Sequence, residues 1–330
     1  MKYRTEAIGL FLALFAIVGP QALFAGDFTE IWGYLLSGEE RFLETAPPVT
    51  DVAYFGAGMN AYGALVGVPA RSKLGAWGGR THMVVAETSN QALTHFCLDP
   101  QFGIRDRLVE SIAAAAAPFE GVQIDFEAVP PADAGNYLAF LTALDLALNR
   151  YPGGKILSVA LPARTRKIAD PYEYGPIARV VDRLIVMAYD EHWSGSAPGP
   201  VASLAWCDRV ASYASSAVGT DKLVMGMPFY GRAWGDVNPS KAYKFSSLGT
   251  LITDKGIVDI NRTEGIPWFE YSETVTVRVY YEDSLSVAQR ADLYRSRGVT
   301  RLSFWRLGQE DPEIWAALAG GFSKVSINTR

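Results

Sequence analysis

Eight short apolar runs rich in β-branched and aromatic residues recur along this 330-residue chain, with helical patterns between them. They fall at 31–36, 52–57, 82–86, 121–126, 156–161, 183–188, 223–228 and 301–305. Short buried strands separated by helices are the habit of parallel sheets, and eight of them are what a closed barrel needs. The fold class expected is therefore α/β, a (β/α)8 TIM barrel.

The helical segments keep this order. Residues 106–117 are alanine-rich, and 133–150 set Tyr137, Phe140, Leu141, Leu144 and Leu148 on one stripe just after Pro130 and Pro131. Ser286 and Gln289 form a candidate capping box before a helix over 288–297, which Gly298 would stop. Between the seventh and eighth strands, 235–284 is too long for a barrel loop and includes an alternating stretch at 275–281. A small α+β insertion is expected there, rising beside the carboxyl ends of the strands as one wall of a groove.

Composition narrows the class. With 49% hydrophobic residues the chain can bury a large core. Its net charge is -5, and the 20% of charged residues are spread along the chain, so the footprint of a nucleic-acid binder is missing. Aromatics at 12%, with 31 glycines and 18 prolines, suit a turn-rich surface or cleft for sugar rings better than one for phosphates. Cys97 and Cys207 both sit in apolar segments and are expected as buried thiols, not a bridge. At the start, Lys2 and Arg4 precede the apolar run 7–18, and Ala25 closes the stretch before Gly26. Residues 1–25 read as a secretory signal, with an uncleaved anchor as the alternative. The barrel then occupies 26–330, secreted, periplasmic or in the cell envelope, with no membrane span in the mature chain.

Chemistry concentrates in Phe119-Glu-Gly-Val-Gln-Ile-Asp-Phe-Glu127. Strand alternation sends Gln123, Asp125 and Glu127 to one face and Val122, Ile124 and Phe126 to the other. The apolar face meets the helices, so both acids project inward at the carboxyl end of the strand, where barrel enzymes do their chemistry. Two carboxyl groups this close repel when both are ionised, so one keeps its proton to higher pH. A protonated Glu127 is then a donor to a departing glycosidic oxygen, and Asp125 is left to orient or stabilise a neighbour. The plainer alternative is a strand end carrying solvated acids.

This segment resembles the signature of glycoside hydrolase family 18, Asp-Gly-x-Asp-x-Asp-x-Glu, on the fourth barrel strand. Asp125 and Glu127 match its last two acids, while Glu120 and Gln123 stand where two earlier acids would be. Ala128-Val-Pro-Pro-Ala-Asp133 and Met187-Ala-Tyr-Asp-Glu-His-Trp-Ser-Gly-Ser196 are similar to the bacterial branch with spore-cortex-lytic, peptidoglycan-acting members. Met227-Pro-Phe-Tyr-Gly-Arg232 and Ser303-Phe-Trp-Arg-Leu-Gly308 continue the likeness in order. The resemblance implies that Glu127 is general acid and then base, and that the sugar's own acetamido oxygen is the nucleophile. It further implies that Asp125 holds the acetamide N–H and shares a proton with Glu127, that Tyr189 bonds the acetamide oxygen, and that Trp305 floors the sugar. Met187, Asp190, Tyr230 and Arg232 are carried over as substrate-binding positions, and Gln123 joins them as an amide that cannot ionise, with a shifted pH profile as the consequence. Glu120 is expected to be structural. Read without the motif, Tyr189 is a hydrogen-bonded barrel hydroxyl and Trp305 a core aromatic.

The set requires no cofactor and no metal. His95 and Cys97 alternate with apolar residues in a possible strand, which makes core or lining positions a better reading than metal ligands. His192 falls in a loop expected to face the groove and is a candidate substrate contact. Trp193, Trp234 and Trp268 are candidate sugar platforms or packing residues. The expected partner is a β-linked N-acetylglucosamine-containing glycan, peptidoglycan first and chitooligosaccharides second, met by a monomer. The rival from another class is a catalytically silent sugar-binding protein on the same barrel.

Overall fold

The computed structural model describes residues 28–44, 48–235, 240–272 and 276–320, so the segment read as an export signal lies outside the described residues. Eight parallel strands close into a barrel: β1 (Glu30–Leu36), β2 (Asp51–Met59), β4 (Arg80–Glu87), β5 (Gly121–Phe126), β6 (Ile156–Pro162), β7 (Arg183–Met187), β8 (Leu223–Pro228) and β14 (Arg301–Trp305). Their ring order follows the sequence, and β1 pairs with both β14 and β2 to shut it. A two-residue strand, β3 (Leu65–Val66), folds back on the end of β2.

The helices are α1 (Arg41–Glu44), α2 (Gln91–Leu98), α3 (Arg105–Ala115), α4 (Ala134–Leu148), α5 (Tyr174–Ala178), α6 (Leu204–Val218), α8 (Ser284–Ser296) and α9 (Glu313–Gly320). The apolar stripe expected on α4 is buried, with Tyr137, Phe140, Leu141 and Leu144 fully covered. Two expectations are corrected. Residues 93–97 lie in α2, not a strand: Asn90 caps that helix through Leu93 N, and the apolar positions follow its inner face. The capping box of α8 is Asp283 with Ser286, because the helix begins at Ser284, earlier than the spacing of Ser286 and Gln289 implied.

The insertion between β8 and β14 is an antiparallel sheet with one helix. It comprises β9 (Tyr230–Gly235), β10 (Lys241–Lys244), α7 (Phe245–Asp254), β11 (Asn261–Thr263), β12 (Ile266–Ser272) and β13 (Thr276–Tyr280). It starts before the expected 235, since the chain runs from β8 through Phe229 directly into β9. Ala233, Leu248, Phe269, Val279 and Tyr281 give it a core of its own.

The barrel has two apolar compartments. The larger lies between strands and helices; the smaller, inside the ring, holds Trp32, Tyr34, Ala53, Val84, Ile185 and Val224. Below this inner layer the first residues of five strands form a charged floor. Glu30 of β1 accepts from Arg183 of β7 across the barrel at 2.6 Å and lies 3.2 Å from Arg80 and 3.4 Å from Arg301. Asp51 takes Arg80 at 2.7 Å and His82 at 2.8 Å, and the imidazole stacks on Trp32. Glu120 sits at this end too, accepting from Thr81 N at 2.7 Å, which is the structural role expected of it. Cys97 and Cys207 are buried and unpaired.

Burial alone would raise the pKa of Glu30, but hydrogen bonds from Arg183 and Trp32 and the charges of Arg183 and Arg80 bring it down to about 2. A carboxyl depressed on folding stabilises the fold above its ordinary value near 4.5, and that contribution disappears as pH falls towards about 2. Glu30→Gln is expected to lower stability by roughly 2 kcal/mol at pH 7. Denaturant unfolding at fixed pH should show the gap to the unsubstituted protein closing between pH 4.5 and 2.

Candidate active site

At the carboxyl end of the strands the barrel opens into a cavity of about 710 Å³. Asp125 and Glu127 on and just beyond β5 form its floor and mouth, and Met187 at the end of β7 lines it with Tyr189 and Asp190 just beyond. Tyr230 of the insertion and Trp305 of β14 border it as well, so seven of the expected site residues meet in one place.

The local sequence explains how the acids are held. Gln123 and Asp125 face inward on β5 and are buried, and Glu127 N donates to Glu87 O at 2.9 Å, which carries the β4–β5 ladder one step past the strand. Val129 N donates to Tyr172 Oη at 2.9 Å before Pro130 and Pro131 turn the chain into α4. The residue bearing the mouth carboxyl is thus fixed on both sides.

Asp125 is enclosed with no Lys or Arg among the described residues to offset it. Burial, and then the charge of Glu127, push its carboxyl up to about 7. Its Oδ1 has no hydrogen-bond partner among the described residues. Glu127 reaches solvent through the mouth, yet the surrounding wall still desolvates it, and with the charge of Asp190 this holds its carboxyl above the ordinary value. The repulsion expected between the two acids therefore acts on Asp125, while the like charge felt by Glu127 comes from Asp190, three residues past the end of β7.

Asp190 adopts φ 59°, a left-handed conformation uncommon outside glycine, asparagine and aspartate. Its Oδ1 accepts from Tyr230 Oη at 2.6 Å and from Arg232 Nη2 at 3.2 Å. Tyr189 lies against Gly226 of β8, where an added Cβ would come within 3.2 Å of the ring and 2.7 Å of Val186 O, so the phenol's position requires glycine there. Burial raises the pKa values of both Tyr189 and Tyr230 well above their ordinary value, which keeps them as hydroxyl donors. Trp305 rests against Tyr34 at 5.2 Å and edge-on to Phe55 at 5.4 Å, leaving it half-buried as a wall of the cavity.

Other expected residues lie elsewhere. Gln123 is one layer below the cavity, donating to Ser158 Oγ at 3.4 Å. Arg232 acts through Asp190. His192 does not border the cavity: its Nδ1 faces Pro200 O at 2.7 Å and its ring packs on Gly199. Trp234 and Trp268 belong to the insertion, packed around Tyr280, and Trp193 is exposed outside the cavity wall. His95 Nδ1 pairs with Asp133 Oδ2 at 2.7 Å, and with Asp99 these groups offer ligand atoms within 4.8 Å of one another; Cys97 is instead in the core.

Sequence reasoning missed Tyr34, Leu36 and Phe55, which the alternation of β1 and β2 places on the inner face at the carboxyl end, and Trp206, whose place on α6 gives no such signal.

An inward acid pair, phenolic donors and aromatic walls thus meet at the top of a β/α barrel. The chain belongs to glycoside hydrolase family 18: the model for glycosyl hydrolases family 18 matches residues 103–310. It is 30% identical over 211 residues to the glycosylase YvbX of Bacillus subtilis (strain 168), covering 62% of this chain and 61% of that protein. It is 28% identical over 235 residues to the cortical fragment-lytic enzyme of Bacillus anthracis, covering 67% of this chain and 54% of that protein. The crystal structure of a chitinase from Chromobacterium violaceum superposes with a TM-score of 0.79 at 25% identity, over 89% of this chain and 99% of that one. The chain thus spans between 54% and 61% of the length of those two curated relatives. Among the described residues no helix is long and apolar enough to cross a membrane.

A carboxyl raised on folding means that the native state binds a proton that the unfolded state has released, so Asp125 costs stability as pH rises from its ordinary 3.8 towards about 7. Asp125→Asn removes that cost. Thermal unfolding of the variant should exceed that of the unsubstituted protein at pH 8 and converge with it near pH 4.

Proposed function

We propose that this chain is a retaining glycosidase that cuts β-linked N-acetylglucosaminyl bonds of peptidoglycan or its fragments, with the substrate's acetamido oxygen as nucleophile. The observation that carries this reading is Asp125, buried and kept protonated towards about 7, beneath the more open Glu127 in an aromatic-walled cavity. A carboxyl so enclosed is poorly suited to attack carbon, and the other nearby acid, Asp190, is engaged by Tyr230 and Arg232. The nucleophile is then the substrate's own.

In the first step Glu127 gives its proton to the glycosidic oxygen as the bond from that oxygen to the anomeric carbon breaks. The acetamido oxygen closes on that carbon from the opposite face, giving an oxazolinium ion. Asp125 accepts the acetamide N–H through the oxygen that has no hydrogen-bond partner among the described residues, and Tyr189 donates to the acetamido oxygen, holding it in line with the anomeric carbon. In the second step the Glu127 carboxylate takes a proton from water, whose oxygen bonds the anomeric carbon and opens the ring. Two inversions give net retention. Trp305 supports the sugar's C–H face.

Peptidoglycan as substrate is supported by the likeness to a cortical fragment-lytic enzyme, and export by the reading of residues 1–25 as a signal. The likeness to a chitinase covered almost end to end supports chitooligosaccharides as a second substrate for the same chemistry.

Purified protein incubated with peptidoglycan, cortex fragments and chitooligosaccharides should release products whose reducing ends are N-acetylglucosamine, read by mass spectrometry. Muramic reducing ends would overturn the bond assignment. Glu127→Gln should cut kcat by about 100- to 10,000-fold while calorimetry still detects oligosaccharide binding.

A further inference from the structure

The charged side chains that border the cavity are all acids. Asp125, Glu127 and Asp190 line it, and among the described residues no Lys or Arg does. A neutral glycan is indifferent to this, whereas one that carries carboxylates meets like charge at short range, where salt screens it least. Positive charge comes from the loop between β6 and α5, residues 163–173.

That loop starts in the cavity wall. Pro162 and Ala163 border the cavity, and Pro162 stands in register with Met187 of β7. Since β6 lies between β5 and β7, the loop leaves the barrel with Glu127 on one side and Asp190 on the other. Its root is clasped: Arg164 Nη2 donates to Asp170 Oδ2 at 2.5 Å, and Tyr172 N donates to Asp170 Oδ1 at 2.9 Å. Tyr172 Oη accepts from Val129 N, two residues past Glu127, and Tyr174 Oη donates back to Pro162 O at 2.7 Å. Burial pushes the Tyr172 hydroxyl up to about 12, and among the smaller influences the charge of Glu127 raises it further while that of Arg164 lowers it. The phenol therefore sits within electrostatic reach of both the mouth acid and the root of the loop.

The clasp leaves residues 165–169 exposed as a tip. Of the three cations in the loop, two are matched, Arg164 by Asp170 and Lys167 by Glu173 at 3.1 Å. Arg166 is exposed at the tip and has no hydrogen-bond or ion-pair partner among the described residues. It is three residues beyond Ala163, which keeps its backbone within about 11 Å of the cavity wall.

We propose that Arg166, at the tip of the β6–α5 loop, binds carboxylates on the substrate and so selects anionic, muramic-containing glycans over neutral ones of the same backbone. This rests on the reading above, in which the reacting sugar is N-acetylglucosamine. In a glycan where that sugar alternates with muramic residues, its neighbours on either side carry a lactyl group, which ends in a carboxylate or bears a peptide stem with carboxylates of its own. A guanidinium offers such a group two parallel donors, and its charge offsets the acids of the cavity.

Three substrates test the loop. A muramidase digest of peptidoglycan supplies a stem-bearing tetrasaccharide, removal of the stems leaves the same sugars with lactyl carboxylates, and chitotetraose is neutral. Arg166→Ala is expected to lower the ratio of kcat/KM for the stem-bearing tetrasaccharide to that for chitotetraose about fivefold. Arg166→Glu should lower it by a larger factor, and Arg166→Lys should recover part of the loss. A matching fall for the stem-free tetrasaccharide assigns the lactyl carboxylate as the ligand, and a fall confined to the stem-bearing one assigns the stem. Added salt should reduce the same ratio in the unsubstituted protein. A ratio that is unchanged by the substitutions or rises with salt, or turnover of chitotetraose with neither muramic tetrasaccharide cut, would overturn the proposal. Failure of the underlying reading shows differently, as no hydrolysis of any of the three substrates by the unsubstituted protein. Binding to the Glu127→Gln protein, with and without Arg166→Glu, reads the loop apart from turnover: affinity for the stem-bearing tetrasaccharide that falls no more than affinity for chitotetraose also overturns it.

Discussion

Closing eight parallel strands forces their inward residues into a space water does not fill, and the chain puts carboxyl groups at two levels of that space with opposite outcomes. At the bottom, Glu30 and Asp51 are surrounded by Arg80, Arg183, Arg301 and His82, and Glu30 is held ionised down to about 2. At the top, Asp125 has no cation beside it and is pushed up to about 7. Burial penalises both charges, so the difference comes from the partners alone. The floor spends its charges on joining β1, β2, β4, β7 and β14; the upper level leaves a proton in place, and a proton held by an enclosed acid is chemically useful.

Asp190 connects the two halves of the molecule. Its left-handed backbone turns the carboxylate towards the insertion, where Tyr230 and Arg232 of β9 meet it. The same carboxylate raises the proton affinity of Glu127. Because Tyr230 and Arg232 share Asp190 Oδ1, a displacement of β9 alters the field at the mouth acid without touching it. The insertion is therefore electrostatically coupled to the site through Asp190, and a second tie runs from Glu264 to the backbone N–H of Ala205 at the start of α6.

How much of this was legible in the sequence follows from what each residue's placement depends on. The eight strand positions and the inward face of Gln123, Asp125 and Glu127 are set by a period of two and by the need to cover the apolar face, so the residues themselves disclose them. Tyr34 and Phe55 follow the same rule and were readable in principle. The segment 93–97 was misassigned because alternation over five residues does not separate a strand from a short amphipathic helix, and Asn90 as cap decides it. His192 and Trp206 were not readable. Each hangs on a loop or a helix start whose direction is fixed by distant groups, Pro200 for one and Glu191, Glu264 and Arg290 for the other.

Gln123 is the chain's clearest departure from its family's pattern, and its hydrogen bonds show what an amide does in place of an acid. Ser158 Oγ donates its single proton to Val122 O at 3.3 Å, so towards Gln123 it can only accept, and it takes the bond from Nε2 at 3.4 Å. That sets Nε2 towards Ser158, and the same amide also interacts with the buried Tyr34 hydroxyl. An acid at this position could take up a proton or a charge from Asp125; the amide can do neither. On the proposed chemistry the proton of Asp125 is therefore shared upward with Glu127, because nothing ionisable lies beneath Asp125 on β5.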